Sequence, residues 1–181
     1  IFSTYSGSTA DNWGSTATPG EHGTLYSAGV TNPMNYGGIF PAAPGAFQAT
    51  YGGAYDIGIL KYDSTGSKLL YATYLGGSDS ESPHSLVINS NNELLVLGTT
   101  GSSDFPTSQD AFDRSYNGGS SEENVVEYNA GSDLFVARVS SDGGTLIAST
   151  FIGGTDNDGL NPSRSPLVAN YGDQLRGDII S

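Results

Sequence analysis

Asp79 and Glu81, and again Asp156 and Asp158, stand two positions apart just after a Gly-Gly pair. Alternate carboxylates of this kind present oxygens to a hard cation, and "TDNDG" (155 to 159) reads like part of a calcium loop. Neither set has the distant bidentate Glu that such loops use. The plainer reading makes these four acids solvated residues that shape a turn, with calcium the one metal the spacing suggests. Asp56 and Asp133 each open a similar apolar phrase. One such Asp could act as a general base, but a residue that recurs with a repeat serves the repeat, capping backbone N–H groups of a turn. His22 and His84 are the two histidines. Neither has a partner nucleophile or an H-x-x-x-H spacing for a metal, and both read as solvent-side polar residues. Arg176-Gly177-Asp178 spells a tripeptide read by some adhesion receptors, a match that three residues reach by chance. Trp13, Tyr36, Tyr51 and Tyr55 are flat rings able to stack on a sugar, although tyrosines in a β-rich chain mostly pack between sheets. No nucleophile elbow, phosphate loop, dinucleotide fingerprint or glycosidase-type carboxylate pair stands out. The sequence therefore assigns no catalytic residue and no cofactor.

The elements that hold these residues repeat. "DIGILKYDSTGSKLLYATYLGGSDSE" (56 to 81) aligns without gaps on "DLFVARVSSDGGTLIASTFIGGTDND" (133 to 158), an offset of 77. "GTLYSAGVT" (23 to 31) matches "NELLVLGTT" (92 to 100) at an offset of 69, and "FPAAPGAF" (40 to 47) matches "FPTSQDAF" (105 to 112) at 65. Changing offsets place the insertions in loops, where added length costs little closure entropy. The acidic stretch "NGGSSEENVVEYNAG" (117 to 131) accounts for most of the longer spacing, and its Glu122, Glu123 and Glu127 read as a solvated rim.

Each unit resolves into four strands. In the second they are expected at 84 to 89, 94 to 100, 133 to 139 and 145 to 152; in the first, "NWGSTAT", "LYSAGVT", "DIGILKY" and "KLLYATYL" take those places. "FVARV" and "YATYL" alternate with period two, while "LLVLG" is apolar on both faces. "DSTGSK" and "SSDGGT" are hairpin turns with Gly where positive φ is required. No segment has a helical period. The pattern predicts an all-β chain of propeller-type blades with four antiparallel strands each. Expected bounds are 1–8 as the last strand of a preceding blade, 9–77 and 78–154 as blades, and 155–181 as an insertion and the first strand of a later blade. The long loop 101–131 belongs to the second blade. About two blades are complete. The inner strands Leu25 to Gly29 and Leu94 to Gly98 should be the most buried, Phe47 and Phe112 should tuck against their own blades, and Gly76 and Gly77 should need angles closed to other residues.

Composition agrees with this class. There are 26 Gly and 8 Pro with 11 Tyr and 7 Phe, against one Met and one Trp. A net charge of −13 with six Lys and Arg disfavours nucleic acid and anionic membrane surfaces as partners. The absence of Cys excludes a disulfide scaffold, a thiolate zinc site and a Cys nucleophile. No apolar run is long enough to insert in a bilayer. The chain opens on Ile1 without a leader, which reads as a piece of a larger or processed protein.

The stretch "LLYATYLGGSDSESPHSLVINSNNELLVLGTTGSSDFPTSQDAF" resembles the SBBP β-propeller repeat, whose blocks run Y-S-T-Y-L-G-G-S, D-x-x-G-N-x-Y-V-x-G-x-T and D-F-P-x-x-x-x-A-F. Asn91-Asn92 replaces the usual Gly-Asn, and the first copy has Ser6-Gly7-Ser8 for its Gly-Gly pair. The resemblance implies a non-catalytic module of a large secreted or surface-attached protein of gliding-type Gram-negative bacteria. It implies type 9 secretion, an extracellular or cell-surface location, a part in adhesion or gliding, and partners in a surface or secretion complex. A polysaccharide-binding or polysaccharide-degrading propeller is the alternative. Asp63-Ser64-Thr65 also matches the pattern on which such bacteria attach O-glycans, with Ser64 as the acceptor, although a plain hairpin turn explains the same residues.

Overall fold

The computed structural model describes residues 3–5, 8–33, 37–123, 126–160 and 178–180. Two four-stranded sheets account for most of it. Strands β1 (Asp11–Pro19), β2 (Leu25–Asn32), β3 (Asp56–Tyr62) and β4 (Leu69–Leu75) form the first, side by side in chain order and antiparallel throughout. The second uses β5 (Glu81–Ile88), β6 (Leu94–Thr100), β9 (Asp133–Val139) and β10 (Leu146–Ile152) in the same order. Between β6 and β9 a two-stranded ribbon, β7 (Glu122–Glu123) with β8 (Glu127–Tyr128), occupies the acidic insertion. Among the described residues the only helical turn is Glu21–Gly23, and no helix is long and apolar enough to cross a membrane.

The chain is thus all-β, with antiparallel sheets of four strands. β6 and β9 fall where alternation and apolar runs place them. β5 begins at Glu81, three residues before the expected start, because it is an edge strand and tolerates Pro83. Irregularities recur with the repeat as well: β1 slips register at Ser15 and β5 at His84, while the outer strands slip at Leu70 and Ile147. The hairpins fold over Gly66 (φ 69°) and Gly143 (φ 74°). The expected strands in residues 1–8 and 177–181 fall mostly outside the described residues; those described there, 3–5, 8 and 178–180, form no strand.

The sheets pack face to face. Tyr26, Ala28, Ile57, Ile59 and Leu75 of the first meet Leu94, Val96, Phe135, Ala137 and Val139 of the second in one buried cluster. A smaller cluster of Phe40, Leu60, Tyr62, Ala72 and Tyr74 covers the other face of the first sheet. β3 is consequently buried on both faces from Asp56 to Leu60, which makes it more buried than β2, contrary to expectation. Two phenylalanines also depart from expectation. Phe40 and Phe105 are the buried members of their motifs, Phe105 lying 4.3 Å from Phe135 ring to ring. Phe112 is 96% exposed, and Phe47 packs against the cluster between the sheets and donates its N–H to Gly143 O (2.8 Å). The second Phe of each motif reaches beyond its own sheet.

The segment carrying those phenylalanines returns along the outer strand and seals its edge. Tyr74 N donates to Gln48 O (3.0 Å) on β4. On β10, Ser108 N donates to Ser149 O (3.0 Å) and Phe151 N to Asp113 O (3.1 Å).

Candidate functional site

Of the acids that alternate after Gly-Gly, Glu81 lies in the joint between the two sheets. β4 ends at Leu75 and β5 begins at Glu81, so the chain must turn within Gly76 to Ser80. Such a turn leaves backbone N–H groups without ladder partners, and they must be satisfied if buried. Here four consecutive N–H groups each find a side chain. Gly76 N donates to Gln48 Oε1 (3.1 Å) and Gly77 N to Glu81 Oε2 (2.9 Å). Ser78 N donates to Asp104 Oδ1 (2.8 Å) and Asp79 N to Ser102 Oγ (2.8 Å). Glu81 Oε1 also accepts Thr100 Oγ1 at 2.6 Å, so both oxygens of this buried carboxyl are engaged. Asp56, equally buried, accepts Gly52 N (2.9 Å) and Gln48 Nε2 (3.2 Å) through Oδ2.

The joint explains the glycines differently from the sequence reading. Neither Gly76 nor Gly77 has positive φ; space requires them. A Cβ on Gly76 would lie 2.5 Å from Glu81 Oε2 and 2.6 Å from Asp56 Oδ1, and one on Gly77 2.5 Å from Ser102 Cβ. At Gly154, the counterpart of Gly77 in the second unit, a Cβ meets nothing within 4 Å. Gly77→Ala should therefore cost about 1–3 kcal/mol in urea denaturation, and Gly154→Ala about 0.5 kcal/mol or less.

The second unit repeats the acids. Asp158 Oδ2 accepts Gly154 N (2.7 Å), as Glu81 accepts Gly77 N. Asp133 accepts Asn117 N (2.8 Å) and Gly118 N (3.0 Å), as Asp56 accepts Gly52 N. Asp56 and Asp133 are thus turn-capping residues. Burial sets the proton affinities of the first pair: it pushes Asp56 up to about 6, against the backbone N–H groups of Gly52 and Gly53. It pushes Glu81 up to about 8, against its hydrogen bonds. Burial also raises Asp133. Asp104 moves the other way, held down by the Ser78 N–H.

Such a carboxyl pair resembles an acid–base dyad in proton affinity, but neither Asp56 nor Glu81 has exposed surface for a substrate to reach. Two surface grooves, one beside Trp13, Phe40 and Leu60, the other beside Leu95, Phe112 and Val136, are lined by neither acid. The calcium candidates do not gather. Asp79 accepts Asn129 Nδ2 (3.1 Å), Glu81 is engaged in the joint, and Asp156 is exposed at the second turn beside Asp158. Among the described residues no three Asp, Glu or His side chains form a group able to hold a metal ion.

The remaining candidates are scattered. Trp13 and Tyr55 come together, ring centroids 5.4 Å apart, while Tyr51 packs on Tyr74 at 6.0 Å. Tyr36 lies outside the described residues, as do Arg176 and Gly177; Asp178 accepts Ser85 Oγ at 3.1 Å. His22 is exposed, as expected. His84 is not a solvent-side residue: it occupies the β5 bulge, largely buried, with Nε2 2.9 Å from Thr99 Oγ1. Burial pushes it down to about 4, so it is neutral in the fold. Ser64 is exposed at the tip of its hairpin, and Glu123 and Glu127 are exposed on the ribbon. Sequence reasoning missed Gln48, Thr100, Ser102 and Asp104, which together with Glu81 and Asp56 complete the joint. The signal available was "GSSDFP" (101 to 106), read as part of a motif and not as a source of turn-binding oxygens. No family model matches the chain, and no curated protein matches it.

Proposed function

We propose that this chain is a non-catalytic β-propeller module in which each four-stranded sheet is a blade, working as a structural and interaction platform in a secreted or cell-surface protein. The resemblance of its repeat to the SBBP type supports export by a type 9 route and service in a surface or secretion complex. One observation carries the non-catalytic part of the reading: Asp56 with Asp133, and Glu81 with Asp158, stand at matching places in the two units, and each accepts backbone N–H groups of its turn. An enzyme breaks its repeat where it does chemistry, whereas here the acids that could do chemistry follow the repeat. Contacts with partners fall to the connections between strands, chiefly within 101 to 131, since rigid scaffolds carry function on their connections; the segment 155 to 176, expected to share this role, lies mostly outside the described residues.

Purified chain should show no hydrolysis of polysaccharide or peptide panels above a buffer control. Hydrolysis abolished by Asp56→Asn, Asp133→Asn or Glu127→Gln would overturn the reading and favour a polysaccharide-degrading propeller.

A further inference from the structure

Two acids meet beside Gly76. The place of a Cβ on that residue lies 2.5 Å from Glu81 Oε2 and 2.6 Å from Asp56 Oδ1, so both oxygens face one small space. Asp56 Oδ1 has no hydrogen-bond partner, although Asp56 is fully buried. The Gly53 N–H acts on this carboxyl without completing a bond to that atom. A second glycine opens the same region: a Cβ on Gly52 would lie 2.4 Å from Gly77 O and 3.4 Å from Asp56 Oδ1. Oxygens of Asp56, Glu81 and the Gly77 main chain thus gather where two glycines keep side chains out.

No base offsets these acids. Among the described residues the ion pairs are His22 with Glu21 and Arg138 with Glu93, and neither lies at the joint. The charges that act on the pair are further carboxylates: Asp104 on Asp56, and Asp56 on Glu81. Buried carboxyls without a cation are costly in the ionised form. The second unit supplies a comparison. A Cβ on Gly153 would lie 2.8 Å from Asp158 Oδ2 and 2.9 Å from Asp133 Oδ1, so the same two acids meet beside the same glycine. There both Asp133 oxygens accept N–H groups, from Asn117 and Gly118, and Asp158 is partly exposed. The arrangement follows the repeat, but only the first copy leaves a buried oxygen bare.

We propose that the first joint binds a hard divalent cation of the calcium class between Asp56 Oδ1 and Glu81 Oε2, with Gly77 O as a third protein ligand and water completing the shell. Two carboxylates balance the charge of such an ion. Oxygen donors without His or Cys suit calcium over zinc, and a small irregular donor set suits it over magnesium, which demands a near-ideal octahedron. The site differs from the alternating-acid loop expected from the sequence. Asp79 turns away to Asn129, and Asp56 joins Glu81 from the start of β3. Neither acid reaches solvent, so the ion enters as the joint closes during folding and ties the start of β3 to the turn between β4 and β5. In a chain stripped of the ion, Glu81 holds a proton instead. The inference is independent of the propeller reading.

Chain refolded from urea in calcium at pH 8 and then desalted should retain about one calcium per molecule by elemental mass spectrometry. Refolding in EDTA should leave none and lower the thermal midpoint by about 3 °C or more. Terbium offered in place of calcium should give tyrosine-sensitised emission, because Tyr51 stands close enough to feel the charge of both acids. Asp56→Asn and Glu81→Gln should each abolish the retained calcium and the terbium emission, whereas Asp158→Asn should keep both. Circular dichroism verifies that the sheets persist, and Glu81→Gln carries the test if Asp56→Asn does not fold. A folded native chain that retains no calcium would overturn the proposal. So would equal retention in Glu81→Gln, or magnesium or zinc retained in place of calcium. Retention lost in Asp158→Asn and kept in Glu81→Gln would move the ion to the second unit and overturn the assignment to the first.

Discussion

From about pH 5 to about pH 8.5 the folded chain should lose on the order of 3 kcal/mol of stability, and Glu81→Gln should remove most of that loss. Glu81 keeps its proton up to about pH 8 in the fold and Asp56 up to about 6, whereas both release it near 4 once unfolded. The native state binds more protons than the unfolded chain across that interval, so raising the pH favours unfolding. The contribution is fully present below the unfolded values and is lost as pH climbs through 6 and then 8. Asp133, also raised, adds in the same sense. His84 opposes it: buried neutral with its affinity pushed down to about 4, it loses stability as pH falls below about 6.5. Glu81 outlasts His84 on the alkaline side, so the net trend is downward. Glutamine at position 81 keeps an oxygen acceptor for Gly77 N in a side chain that does not titrate. Urea midpoints measured in EDTA from pH 5 to 9 should fall in the native chain and stay level or rise slightly to neutrality in the variant. A native midpoint that rises across this interval would refute the buried carboxyl pair.

Phe105→Ala should cost about 3–5 kcal/mol, and Phe112→Ala about 0.5 kcal/mol or less. Phe105 is buried between Phe135 and Phe151, at ring distances of 4.3 and 6.1 Å, and its removal leaves a cavity that two strands of a rigid sheet cannot close. Phe112 leaves solvent on both sides of the comparison. Denaturant titration separates the two, and equal costs would contradict the placement of both rings.

Strand type, the four strands of each sheet and the repeat were legible because alternation, Gly-bearing hairpins and self-similarity are local signals, whereas the β7–β8 ribbon was not. "DIGILKY" and "DLFVARV" show it, their bounds matching β3 and β9 residue for residue. What the sequence concealed depends on which copy of an equivalent residue has a neighbour. Phe47 and Phe112 occupy the same place in one motif, yet one is packed and the other bare. His84 read as solvent-side because nothing in the sequence pairs with it; the register shift at that residue, which buries it, has no sequence signal. The acids were recognised as turn residues, but the density of the joint was hidden. Gln48, Ser102 and Asp104 arrive there from segments 20 to 30 residues away in the chain, as their separations of 28, 23 and 26 residues from the N–H groups they bind show. The Gly-Gly pair was recognised for the wrong reason, dihedral freedom in place of room.

The strip of chain that runs along β4 and β10 has a consequence for how this protein survives before it meets anything. A sheet with a bare outer strand invites any passing extended segment to continue its ladder, which is the route to amorphous and fibrillar deposits. Gln48, Ser108 and Asp113 occupy that ladder with the molecule's own backbone. Strand recruitment at these margins is pre-empted, and sheet faces and loops remain as the surfaces through which the molecule can join others. A chain with exposed apolar residues and a charge of −13 can then stay dispersed, its stickiness confined to surfaces that demand a fitted shape and not merely a free strand.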